Sequence, residues 1–82
     1  MTQNIILWDT PVSAHGRLIF GPYEAHQFII AHWQLRTDLH AAVAKKCVLM
    51  AMDGRASPDQ ARELFEAALE EDQIEADFKL AV

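Results

Sequence analysis

One apolar spacing recurs three times along this chain and constrains its fold more than any other feature. In its clearest copy the positions i, i+3, i+4, i+7 and i+8 are occupied by Ala61, Leu64, Phe65, Ala68 and Leu69. The same spacing starts at Ala25 upstream and, more loosely, at Leu39 between the two. A stripe with this period covers one face of an amphipathic helix. The sequence therefore predicts three helices that bury their stripes in one shared core.

Length and charge limit the class of protein further. A chain of 82 residues makes one small domain, residues 1–82, and its hydrophobic fraction of 51% is normal for a globular protein. The formal net charge of −5 disfavours a phosphate backbone or an anionic membrane as partner. The early apolar run over residues 5–8 is too short to span a membrane. We therefore expect neither a membrane protein nor a nucleic-acid binder.

The first twenty residues are rich in β-branched and aromatic side chains, which favour strands. Residues 5–8 and residues 17–20 are predicted as strands, and Val12–Ala14 as a hairpin partner of the second. Gly16 can adopt the positive φ that a tight hairpin turn requires. The amino-terminal region, residues 1–20, is thus expected to be β-rich.

Helix boundaries are marked by residues with known terminal preferences. Helix one is predicted over residues 22–35, with Pro22 at its first position. Helix two is predicted over residues 38–53, capped by the hydroxyl of Thr37 and ended by Gly54 in a left-handed conformation. Helix three is predicted over residues 58–72, because Ser57 is a favourable cap and Pro58 a favourable first residue.

The carboxyl-terminal segment changes its hydrophobic period. Over residues 74–82, apolar residues occupy alternate positions, and a period of two is typical of a half-buried strand. An extension of helix three and a loose terminus are the competing interpretations. The predicted fold class is therefore α+β: a small single domain with an N-terminal β-hairpin, three helices and a C-terminal strand.

A set of residues in a characteristic order points to a known family. The set consists of Gly21, Pro22, Tyr23, Glu24, Ala25, Trp33, Cys47, Ala51, Gly54, Ala61, Arg62, Phe65, Ala68 and Ile74. In order and spacing it resembles the short bacterial proteins grouped as domain of unknown function 982, frequent in plant-associated alphaproteobacteria. The resemblance spans residues 11–74 and implies a small cytoplasmic α+β protein. It carries over no catalytic residue.

No motif in the sequence predicts a catalytic, cofactor or metal site. His26 and His32 are six residues apart, about 240° around one helix, so they cannot chelate one metal from it. The three glycines do not have the spacing of a phosphate-binding loop. We therefore expect that the protein is not an enzyme. The enzyme or ligand-binding alternative requires a site near the hairpin and the first helix, where His15, Glu24 or His26 converges with another polar group.

A second alternative is a nucleic-acid binder, because two helices joined across Gly54 resemble a helix-turn-helix. Helix three, the second helix of this pair, would be the one that contacts the bases. Its outward positions, however, carry Asp59, Glu63, Glu66 and Glu70, with only Arg62 to compensate. Four carboxylates facing phosphates oppose this interpretation.

Helix two favours a protein-interaction role, because it is apolar on more than one face. We predict an interface, for a homodimer or a small adaptor, that consists of Val48, Met50, Met52, Phe78 and Leu80. The single cysteine, Cys47, lies in an apolar run and cannot form an internal disulfide, which fits a reducing cytoplasm. The function expected from the sequence is a non-enzymatic interaction or regulatory module.

Overall fold

Two short strands are followed by three helices in this protein. The computed structural model describes residues 6–81, and it describes side chains as far as Asp72. The elements are β1 (Val12–Ala14), β2 (Arg17–Ile19), α1 (Pro22–His32), α2 (Leu39–Met52) and α3 (Pro58–Ala81). This order confirms the predicted α+β class with a hairpin and three helices.

The hairpin joins β1 and β2 through a turn of two residues. The strands are antiparallel, with Val12 opposite Ile19 and Ala14 opposite Arg17. His15 and Gly16 form the turn with φ values of 49° and 80°. Two positive φ angles in succession are the signature of a type I′ turn, whose twist matches that of the flanking strands. The prediction of Gly16 in a tight turn is confirmed.

The strand predicted over residues 5–8 is wrong for residues 6–8, which have no strand conformation; Ile5 lies outside the described residues. The Trp8 N–H donates to the Phe20 carbonyl at 2.7 Å, but the Phe20 N–H donates to Glu24 Oε1 at 2.9 Å. Because the Glu24 carboxylate occupies the Phe20 N–H, which a strand ladder would need as donor, the pairing stops at one hydrogen bond.

The backbone of residue 6 lies very close to Gly21. A Cβ built at Gly21 would lie 2.5 Å from the Ile6 carbonyl oxygen, so position 21 requires glycine.

Helix α1 begins at Pro22 as predicted but ends at His32, three residues earlier than expected. Trp33 closes the helix with φ −115° and ψ 23°, and its N–H donates to the Ile29 carbonyl. The indole of Trp33 is almost completely buried. Turning this side chain into the core ends the helix before Leu35.

Arg36 holds the segment that connects α1 and α2 against α3. Its guanidinium lies 4.6 Å from the centre of the Trp33 ring and donates to the Ala68 carbonyl at 3.0 Å. Its Nε and Nη2 donate to the two carboxylate oxygens of Asp38 at 2.8 and 2.7 Å. One side chain thus contacts an aromatic ring, a helix backbone and a carboxylate.

The cap of α2 is Asp38 rather than the predicted Thr37. Asp38 Oδ2 accepts the Ala41 N–H at 3.2 Å. The Asp38 carboxylate also accepts the paired hydrogen bonds from Arg36, and these favour Asp38 over the Thr37 hydroxyl as the helix cap. The hydrogen bonds from Arg36 hold the pKa of the Asp38 carboxyl at about 2, below its usual 3.8.

Helices α2 and α3 form an antiparallel pair. Gly54 has φ 76°, the Arg55 N–H donates to the Met50 carbonyl and the Gly54 N–H to the Ala51 carbonyl. These two bonds form a Schellman motif, so the predicted left-handed end is confirmed. Ser57 Oγ accepts the Gln60 N–H at 3.4 Å, which confirms Ser57 as the cap of α3.

The predicted C-terminal strand is wrong: residues 74–81 continue α3, and Val82 lies outside the described residues. Between Pro58 and Ala81 there is no glycine or further proline to end the helix, and most residues are good helix formers. Helix propensity over this stretch outweighs the period-two pattern. In the described part of the chain, no helix combines the length and the apolar composition needed to cross a membrane.

The core is formed where the stripes of the three helices meet the inner face of the hairpin. Phe65 is completely buried, with its ring centre 6.1 Å from Trp8, 5.4 Å from Trp33 and 5.7 Å from Phe28. The remaining buried apolar residues are mainly small or β-branched: Val12, Ala14, Ile19, Ala25, Ile29, Ala41, Ala44, Cys47, Val48, Ala51, Ala61 and Ala68.

The depressed pKa of Asp38 leads to a prediction about acid stability. A carboxyl group whose pKa is lower in the folded state stabilises the fold above about pH 4, and this contribution is lost as the pH falls towards 2. Asp38→Ala should lower the free energy of unfolding at pH 7 by about 1–2 kcal/mol, because the cap is lost. Asp38→Asn should cost less, since an amide still caps the helix, and should lose less stability than the parent protein between pH 4 and pH 2. Urea unfolding followed by circular dichroism measures both; equal acid sensitivity of the parent and Asp38→Asn would contradict the assignment.

Candidate interaction surface

The structure separates the five residues predicted as an interface. Val48 is completely buried in the core, so it is not part of a surface. Met50 and Met52 are half-buried, and Met52 packs against the core. Phe78 and Leu80 lie on α3, where their side chains are outside the described residues. Of the predicted set, Met50 and Met52 therefore remain partly accessible among the described side chains.

A different row of α2 residues faces outward. We define the outer face of α2 as the residues at positions i, i+3, i+4, i+7, i+10 and i+11 of this helix: Leu39, Ala42, Val43, Lys46, Leu49 and Met50. All are exposed except the half-buried Met50, and Leu39 and Leu49 keep 74% and 45% of their surface accessible. The buried side of the helix is formed instead by Ala41, Ala44, Cys47, Val48 and Ala51. The helix therefore presents apolar side chains both to the core and to the solvent.

The outer face of α2 also differs in charge from the rest of the protein. The chain has twelve acidic residues, yet none of them lies in α2, which carries Lys45 and Lys46. Lys46 is exposed within the outer face, whereas Lys45 is half-buried at its edge. This surface is therefore apolar and cationic on an acidic protein, and it favours an apolar partner with negative charge.

Helix α3 reaches beyond the helix against which it packs. His40 Nδ1 lies 3.8 Å from Glu71 Oε1, which places the start of α2 beside Glu71. From there, residues 73–81 continue for nine helical residues, about 14 Å at 1.5 Å per residue. The described residues accordingly measure 52 × 23 × 19 Å along their principal axes. The last turns of α3 are not flanked by α2.

Other large apolar side chains are exposed elsewhere, on several different elements. They are Leu7, Leu18, Phe20, Tyr23, Ile30 and Leu35. Ile30 on α1, at 50% exposure, matches Leu49 closely in size and accessibility. Scattered apolar residues are normal at a protein surface. The outer face of α2 differs because three exposed large apolar residues, Leu39, Val43 and Leu49, share one helix face.

Of the residues named for the enzyme alternative, His15 is brought to another polar group. Among the described residues, His15 contacts Asp72, with Nε2 and Oδ2 3.2 Å apart, and its ring centre lies 5.3 Å from that of His32. Glu24 stabilises the exit from β2 by accepting the Phe20 N–H. His26 is half-buried on α1. Nothing local in the sequence could have linked His15 to Asp72, which is 57 residues away.

The described side chains contain no group of three or more His, Cys, Asp or Glu residues arranged to hold a metal ion. Cys47 is a free, buried thiol on the core side of α2. His15 and His32 form an edge-to-face ring pair, and each also packs against Phe28. The structure thus shows these two imidazoles as part of an aromatic cluster at the rim of the core.

The face of α3 that would contact DNA in the helix-turn-helix alternative is acidic. Asp59, Glu63 and Glu70 are exposed. Arg62, the one cation of α3 among the side chains described as far as Asp72, donates to Glu66 and to the Thr10 carbonyl. A reading helix with these charges would repel a phosphate backbone.

A two-stranded hairpin that leads into three helices, the last two antiparallel, defines a small α+β domain. The chain belongs to the family described as protein of unknown function (DUF982), whose model matches residues 7–76. The resemblance found in residues such as Gly21, Trp33 and Gly54 is thereby confirmed. No curated protein and no solved structure matches the chain.

The contact between His15 and Asp72 joins the hairpin turn to α3, and we expect it to contribute to the stability of the fold. We predict a coupling free energy of about 0.2–1 kcal/mol from a double-mutant cycle with His15→Asn and Asp72→Asn, measured by urea unfolding. Asparagine tolerates the positive φ of the turn, so His15→Asn preserves the hairpin. A parallel cycle with His26→Asn serves as control. A coupling free energy of zero would show that the contact contributes nothing to stability.

Proposed function

We propose that the protein is a non-enzymatic interaction module, with the outer face of α2 as its binding surface. The observation that carries the proposal is the exposure of Leu39, Val43 and Leu49 on one face of a helix without acidic residues. Partner binding would remove this apolar area from water, at about 25 cal/mol per Å². The contact acts as a homodimer interface or as the docking site of an adaptor.

The arrangement of the core supports this role for α2. Its buried side consists of Ala41, Ala44, Cys47, Val48 and Ala51, which are small or β-branched and let α1 and α3 approach closely. The larger leucines at positions 39 and 49 remain on the outside. A helix that is apolar on both sides is normally enclosed, and in this domain the described elements cover only one side of it.

A cytoplasmic location is part of the proposal. Cys47 is a free thiol and the only cysteine of the chain, as suits a compartment in which thiols stay reduced. The acidic surface of α3, including Glu63 and Glu70, favours protein partners over nucleic acid. Regulation by this module would then work through occupancy of the α2 surface rather than through chemistry on a substrate.

Site-specific photocrosslinking in the native host tests the proposal. A benzophenone amino acid placed at position 49 should form a covalent adduct with whatever protein covers the outer face of α2. The matched control carries the same group at position 30, on a similarly exposed part of α1. We expect adducts at position 49 in clear excess over position 30. Equal yields at the two positions, or no adduct at position 49, would contradict the proposal.

A further inference from the structure

We propose that the partner of the outer face of α2 is a second copy of this chain, which contributes the carboxyl-terminal part of its α3, residues 70–81. This inference rests on the proposed function and names the occupant of the same surface. In a two-fold dimer each copy would give its α3 end and receive that of the other, so the same contact forms twice.

Charge complementarity is the first argument. Helix α2 contains Lys45 and Lys46 and no acidic residue, whereas residues 70–81 contain an excess of acidic residues over the single Lys79. The acidic residues of this segment are Glu70, Glu71, Asp72, Glu75 and Asp77. Opposite charges on the two elements would align the helices and raise the association rate.

The length of α3 is the second argument. Because Glu71 lies beside His40 at the start of α2, residues 73–81 extend past the amino-terminal end of α2 rather than along it. Residues 73–81 therefore cannot reach the outer face of α2 in their own copy, whereas the same residues of another copy can.

The composition of the segment is the third argument. Residues 70–81 include Ile74, Phe78 and Leu80 between the charged positions. A helix of mixed apolar and acidic composition suits a surface of leucine, valine and lysine. Both elements are also present at equal concentration whenever the protein is made. An acidic amphipathic helix of another protein is the alternative occupant, and it is an outcome that would refute the inference.

Two neighbouring lysines provide a matched test in the full-length chain. Lys46→Glu reverses a charge within the outer face, and Lys45→Glu makes the same change to net charge at its half-buried edge. By light scattering, the parent protein should have twice the mass of a 9.3 kDa chain. Lys46→Glu should weaken the dimer by about tenfold and Lys45→Glu by about twofold at most. Circular dichroism confirms that both variants are folded. A monomeric parent protein at high concentration, or an equal loss in both variants, would refute the inference.

Zero-length crosslinking between amines and carboxylates locates the contact. A mixture of unlabelled and ¹⁵N-labelled protein distinguishes links between copies from links within one copy. We expect mixed-label peptides that join Lys46 to Glu75 or Asp77. Links between copies that instead join Lys46 to Asp59 or Glu63 would overturn the assignment to the end of α3. If position 49 captures a different protein while the purified chain stays monomeric, this inference fails and the proposed function stands.

Discussion

The aromatic rings that pack around Phe65 hold the separate elements of this domain together. Phe65 on α3 contacts Trp8 before the hairpin, Trp33 at the end of α1, and Phe28 within α1. Each such ring pair stabilises the fold by about 0.5–1.5 kcal/mol beyond the burial of its area. Since the three partners come from two separate parts of the chain, one side chain holds the amino-terminal segment and α1 against α3. Arg36 extends the same cluster by stacking on Trp33 and bonding to the backbone of α3.

This core explains why α2 has a free apolar face. The large rings come from α1 and its end, from α3 and from the segment before the hairpin. The space left for α2 therefore accepts alanine, cysteine and valine rather than leucine. Placing Leu39 or Leu49 inside would overfill a core that is already closed. The leucines therefore lie outside, together with Lys46, and their exposure is a consequence of how the domain packs. In our proposal, a second chain covers that surface.

Local signals in the sequence predicted much of the fold. Pro22, Ser57 and Gly54 mark helix ends through preferences that act within a few residues, and the positions of all three are confirmed. The predictions fail where contacts between residues that are far apart in the sequence determine the local structure. Trp33 ends α1 because its indole enters the core, and Val48 is buried because the core closes on that side of α2. The period-two pattern of residues 74–81 misled because strand formation needs a partner strand, whereas a helix satisfies its own hydrogen bonds. The outer face of α2 could not be told from the inner one, since both are apolar.

In our proposal, one face of α2 is buried in the domain and the opposite face binds the α3 end of another copy. Amide chemical shifts of the ¹⁵N-labelled protein, followed over a dilution series from millimolar to low micromolar concentration, test this proposal. We expect concentration-dependent shifts on residues 39–50 and 70–81 and none in the hairpin around His15. Shifts confined to the hairpin, or a spectrum unchanged across the whole series, would contradict it.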